Sequence, residues 1–211
     1  MYLFTRASRL GSGHLAESMD WSVRLTAKVN TVAEVDVSLW TTVFSPGLLT
    51  LTWTASIENL TQMSGLNDKL LADGGYVELV DEGAQFSSGE AIDDSLMRFV
   101  HADPDGASGT AQVATVVQGV LAPGQSVSGV ALGVEIAQRA KAITGCPTSF
   151  GTSVTGTYGG VGWITTFDSM DQAQAADEAL ATDADFAALL DAKASVAYLP
   201  GATRTIHRKI V

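Results

Sequence analysis

Cations are scarce in this sequence. Lys and Arg together number 12 against 23 Asp and Glu, which leaves a formal net charge of -11. Nucleic acid and anionic lipid both reward clustered Lys and Arg, so neither is an expected partner. Cysteine is scarcer still: the single thiol, Cys146 in "TGCPT", has no second cysteine for an internal disulfide or a multi-cysteine zinc site. No basic residue adjoins it to activate a nucleophile, and it reads as a small, semi-buried residue beside a turn. Long apolar runs are missing as well. The best, "VSGVALGVEI", is interrupted by Glu135 and is about half the ~20 residues a helix needs to cross a bilayer, so no membrane insertion is expected. The opening "MYLFTRASRL" lacks the basic start, apolar run and cleavage site of a signal peptide and alternates like a strand. A cytoplasmic protein is the resulting expectation. Abundant Ala, Gly, Thr, Asp and Val with few Lys would suit a bacterium with a GC-rich genome.

What the chain has in quantity is apolar residues, 46% against 17% charged. A chain of 211 residues can bury about 70% of its unfolded surface, so its core needs no staple. It also has a repeat. Sliding the sequence on itself by 110 positions aligns Trp53 with Trp163, Gln62 with Gln172, Leu70 with Leu180, Asp73 with Asp183, Leu79 with Leu189 and Asp81 with Asp191, without a gap. "LTWTASIENLTQ" and "VGWITTFDSMDQ" are the most visible pair.

Each copy reads as strand, helix, strand, strand, helix, strand. "YLFTRAS" and "VATVVQG" open the copies as strands, and each runs through a Gly turn into an amphipathic helix. Hairpins follow around "SPG" and "YGG". Asn59 with Gln62, and Ser169 with Gln172, are spaced as helix caps whose Gln reaches back to the cap backbone. Asp73 and Asp183 then cap a second short helical segment, and "SLMRFVH" and "RTIHRKIV" close the copies as strands. That order predicts an α+β protein built as a tandem duplication of a ferredoxin-like βαββαβ unit, one over 1–101 and one over 111–211 with a linker at 102–110. Two antiparallel sheets packed face to face would cover each other and bury Trp53 and Trp163 between them.

The pattern resembles the dimeric α+β barrel superfamily, and within it the members with two units in one chain, such as NIPSNAP-like and stress-responsive or antibiotic-biosynthesis-monooxygenase-like proteins. The resemblance implies a ligand cavity between sheet and helices or between sheets. It also implies a range of activities that includes cofactor-independent monooxygenases and cyclases.

Three histidines are available, none repeated between the copies. His14, at the start of the first helix, is the catalytic candidate, since histidine can be tuned to work as a base near neutrality. His101 and His207 are expected at the surface; Arg204, Arg208 and Lys209 around His207 would lower its pKa. Trp40, Phe44, Trp53 and Trp163 are the candidate lining for a flat apolar ligand. No zinc or calcium pattern occurs, so no metal is expected. The glycines of "TYGGVGW" lie between hairpin strands and mark a turn, and no cofactor is expected. Three readings stand side by side: a small-molecule enzyme, a binding module for a hydrophobic metabolite or haem, and a structural or assembly protein; a second copy of the chain, as a homo-oligomer, and a small apolar ligand are the partners to look for.

Overall fold

The computed structural model of the chain describes residues 1–89, 92–103 and 110–211. Residues 104–109, most of the expected linker, lie outside the described residues. Two compact units are present, one made of Met1–Leu96 with Lys209–Val211 and the other of Met97–Arg208.

In the first unit β1 (Tyr2–Arg9) leads into α1 (Leu15–Ala33), followed by β2 (Val37–Val43), β3 (Thr50–Ile57), α2 (Leu60–Ala72) and α3 (Gly74–Gly83). A single 3-10 turn, Ala84–Phe86, extends α3. β3 is the central strand and pairs antiparallel with β1 and with β2. Strand alternation sends Leu51, Trp53, Ala55 and Ile57 to one face, where all four are buried, and the threonines of β3 to the other. The buried face lies under α1. The Trp53 indole donates to Thr26 Oγ1 at 2.9 Å, and Trp21 of α1 meets Trp53 edge-on at 6.1 Å. This corrects the expectation that the repeated tryptophans pack between sheets. A buried indole N–H needs an acceptor, and α1 supplies one.

The second unit repeats the order. β4 (Asp93–His101) enters it from Met97 onward, followed by β5 (Val113–Val120), α4 (Ser126–Thr144), β6 (Thr148–Ser153), β7 (Gly160–Phe167) and α5 (Met170–Thr182). α6 (Ala184–Leu189), a π turn (Leu190–Ala194), α7 (Ser195–Ala197) and β8 (Thr203–Lys209) complete it. The strand order here is β8-β5-β7-β6-β4. Trp163 again faces the helix, donating to Gly133 O of α4 at 2.9 Å. Phe150 stands against it at 5.0 Å and Tyr198 at 5.3 Å.

The two copies reach equal packing by different residues. Phe150 is fully buried on β6, and a Cβ placed on Gly133 would lie 2.2 Å from its ring. The corresponding pair in the first unit is Ser22 and Leu39, both fully buried. A larger strand residue thus faces a smaller helix residue, as a close-packed interior requires. An ion pair between the long helix and the short one is also repeated, but with its polarity reversed: Arg24 binds Glu82 in the first unit, Lys193 binds Glu135 in the second.

The caps form as expected. Asn59 accepts from Gln62 N and Ser169 Oγ from Gln172 N, while Asp73 and Asp183 accept from Tyr76 N and Phe186 N. Gln62 and Gln172 reach one residue further back than the cap, to the N–H groups of Glu58 and Asp168, each at 2.7 Å. Within the first unit Ile210 donates to Leu39 O at 2.8 Å, which ties the chain end to β2.

Candidate functional site

The proposed aromatic lining is not assembled. Trp53 and Trp163 belong to the closed cores of their own units. Trp40 is partly buried on the face of β2 opposite Leu39 and Trp53; its indole donates to Thr54 Oγ1 at 3.1 Å, and Lys209 Nζ stands 5.9 Å from its ring. Phe44 lies past the end of β2 with 85% of its surface exposed. In the first unit the space between sheet and helices is filled by Trp21, Trp53, Phe86, Leu39 and Leu51.

A cleft of about 580 Å³ opens instead on the outer side of the first unit, where α1 passes α3 and the turn after it. It is lined by Ala16, Glu17, Asp20, Arg24, Glu82, Gln85 and Phe86. Its volume is within the range of small-molecule sites. Helical spacing puts Glu17, Asp20 and Arg24 on one side of α1. The Arg24 guanidinium bridges Asp20 at 3.0 Å and Glu82, which raises the Arg24 pKa and lowers that of Glu82. That cation is therefore committed to the wall. Phe86, buried and tilted at 46° against Trp21 with ring centroids 5.7 Å apart, contributes an apolar surface. Gly83 is required behind it, because a Cβ there would stand 2.1 Å from the Trp21 ring.

His14 sits beside this cleft. Its Nδ1 is 2.7 Å from Glu17 Oε2, the carboxylate that lines the cleft, and the side chains are 64% and 68% exposed. With Nδ1–H donating to Glu17, the lone pair of Nε2 is left available to take a proton. At the same place in the second unit Gln125 accepts from Ser128 Oγ, so the His–Glu pair belongs to one copy only.

His207 departs from its expected exposure. It is half-buried, with Nε2 2.9 Å from Thr205 Oγ1 and Nδ1 buried without a partner among the described residues. Alternation along β8 sends Arg204 and Arg208 to the opposite face, and burial, not their charge, lowers the pKa of His207. His101 is partly buried at the end of β4, paired with Phe150 across a register shift. Cys146 is 1% exposed, and desolvation raises its pKa, the reverse of an activated thiolate. No cluster of three His, Cys, Asp or Glu that could hold a metal occurs among the described residues. No helix of the described residues is long and apolar enough to cross a membrane.

His14 was legible in the sequence, but its partner was not singled out. Glu17 stands three residues on, the spacing of helix neighbours, and that signal could have been read. Glu82, Gln85 and Phe86 carry no local signal, because they meet α1 only through tertiary packing.

No protein-family model and no curated protein matches the sequence. Solved structures do. A candidate monooxygenase of Fusobacterium nucleatum is similar over 100% of this chain and 92% of its own, with a TM-score of 0.71 and 8% identity. An anthrone oxidase-like protein is similar over 100% and 91%, with a TM-score of 0.69 and 8% identity. A heme-binding protein of Thermus thermophilus is similar over 100% and 91%, with a TM-score of 0.52 and 9% identity. These structures share the fold of this chain, an α+β arrangement of antiparallel strands and helices; likeness at such identities concerns fold alone.

Proposed function

We propose that the chain binds a small molecule in the cleft between α1 and α3 of the first unit, and that His14 acts there as a base oriented by Glu17. The observation that carries this reading is the His14–Glu17 pair at the edge of a cleft of about 580 Å³. The wall carries three carboxylates and one cation that is already paired, so it suits a ligand that brings hydrogen-bond donors, with Phe86 receiving an aromatic ring. In the catalytic form of the proposal, the chemistry is that of a cofactor-independent monooxygenase or cyclase. His14 Nε2 takes a proton from an acidic O–H or C–H of an aromatic substrate, and the substrate anion passes electrons to dioxygen from solution. Monooxygenase and anthrone oxidase-like names among proteins of the same fold lend this form support.

A second reading is binding without turnover. The exposure of His14 and Glu17 favours it, because water at the pair weakens the electrostatic gain a closed site provides. Oxygen uptake with anthrone as the probe separates the two. Uptake by the wild-type chain that His14→Ala abolishes, with the melting temperature unchanged, supports catalysis. Anthrone binding without uptake supports the second reading, and no binding in the cleft contradicts both.

A further inference from the structure

The second unit builds the same helix and turn without the polar wall of the first unit's cleft. Hydrogen bonds fix the correspondence: Gly11 N donates to Phe86 O at 2.8 Å as Ala122 N does to Ala197 O at 2.9 Å, and the Arg24–Glu82 pair matches Glu135–Lys193. In that register Glu17, Asp20, Gln85 and Phe86 correspond to Ser128, Ala131, Val196 and Ala197. The copy that lacks both carboxylates, the amide and the ring at these positions folds into the same elements. The shared scaffold therefore needs none of the four, and all four line one cleft.

Charge on that wall is unbalanced. Arg24 is shared by two carboxylates, giving Nε to Asp20 Oδ2 and both Nη groups to Glu82. Glu17 spends Oε2 on His14. Glu17 Oε1 and Asp20 Oδ1 accept no hydrogen bond among the described residues, and they stand one turn apart on the side of α1 that lines the cleft. With His14 uncharged, as a base must be, three carboxylates face one guanidinium. A neutral ligand leaves that excess uncompensated and an anion is repelled by it, whereas an ammonium brings a positive charge and three donors with no acceptor.

We propose, resting on the reading of this cleft as the ligand site, that its ligand is a cation: an ammonium on an aromatic body, the ammonium held by Glu17 Oε1 and Asp20 Oδ1 and the ring by Phe86. Glu17 then serves two groups, orienting His14 through one oxygen and binding the ligand through the other. Phenethylamine, phenethyl alcohol and 3-phenylpropionate share a phenyl ring and a two-carbon tail but differ in charge. Titrating each into the full chain near neutral pH, followed by chemical shifts, tests the assignment. The amine shifts Glu17, Asp20, Gln85 and Phe86 and binds about fivefold more tightly than the alcohol, the worth of one to two exposed ion pairs, and the carboxylate binds most weakly. Raising salt to about 0.5 M shrinks this preference. Glu17→Gln and Asp20→Asn each reduce it about twofold, and the double variant brings the amine to the affinity of the alcohol. All three variants keep the wild-type melting temperature, because these side chains are 68% and 74% exposed. Equal affinity for amine and alcohol at these residues, tighter binding of the carboxylate, or a preference that survives the double variant overturns the cationic ligand and leaves the cleft as a binding site. Shifts elsewhere with all three probes, or none, overturn the cationic ligand together with the reading of the cleft.

Discussion

Protonating His207 would place a positive charge on a ring whose Nδ1 is buried and without a partner among the described residues. Burial lowers its pKa from the ordinary 6.5, so the unfolded chain binds this proton more readily than the folded one. Stability contributed by neutral His207 is complete above about pH 6.5 and declines as pH falls below that value toward the lowered folded pKa. Chemical denaturation from pH 8 to pH 5 should show this decline, and His207→Gln should flatten it. A second residue-scale effect concerns Asp103, whose side chain is 1% exposed and pairs with Lys141 at 2.9 Å. Its backbone N–H donates to Ser149 Oγ, also at 2.9 Å. Asp103→Ala removes the buried partner of Lys141, which is itself 37% exposed, and should cost about 1–2 kcal/mol in urea denaturation. Neither effect could be read from the sequence. Arg204, Arg208 and Lys209 made His207 look solvated, and only the pairing of β8 with β5 shows which face it takes.

At the scale of elements, the helix–strand contact between Gly133 and Phe150 is set by size. Gly133→Ala places a methyl inside the Phe150 ring and should destabilise the chain by about 2 kcal/mol or more. Adding Phe150→Leu restores the smaller strand residue that the first unit uses at Leu39, and a thermal-melt cycle should show non-additive recovery. The reversed ion pairs make a second case. Arg24→Glu should lower the melting temperature slightly, and adding Glu82→Arg should recover part of the loss, because the second unit already works with that polarity at Glu135 and Lys193 while Asp20 stays one turn from residue 24. Caps and periodic helices were legible because their signals are local: Asn59, Ser169, Asp73 and Asp183 each lie within three residues of the N–H they accept from. The face taken by Trp53 was not. Alternation fixes which residues share a face, but the choice between helix and open side depended on an acceptor 27 residues away, at Thr26.

At the scale of the whole molecule, the duplication was legible from Trp53/Trp163 onward and led to the order of elements in both copies. The exchange at the strand ends was not. Met97–His101 of β4 pairs with β6 in the second unit, and Ile210 reaches Leu39 in the first. Such pairings join positions about 50 to 170 apart, for which one sequence carries no covarying signal. The cleft was hidden for the same reason, since α1 and α3 meet 58 residues apart, at Arg24 and Glu82. Both sheet–helix cores hold packed side chains, and the ligand proposed for the first unit is accordingly placed at the outer cleft and not against Trp53. Amide and side-chain chemical-shift mapping on the full chain with anthrone decides this most directly. The account predicts shifts gathered at His14, Glu17, Asp20, Gln85 and Phe86, lost on His14→Ala. Shifts centred on Trp53 or Trp40, or none at millimolar ligand, would contradict it.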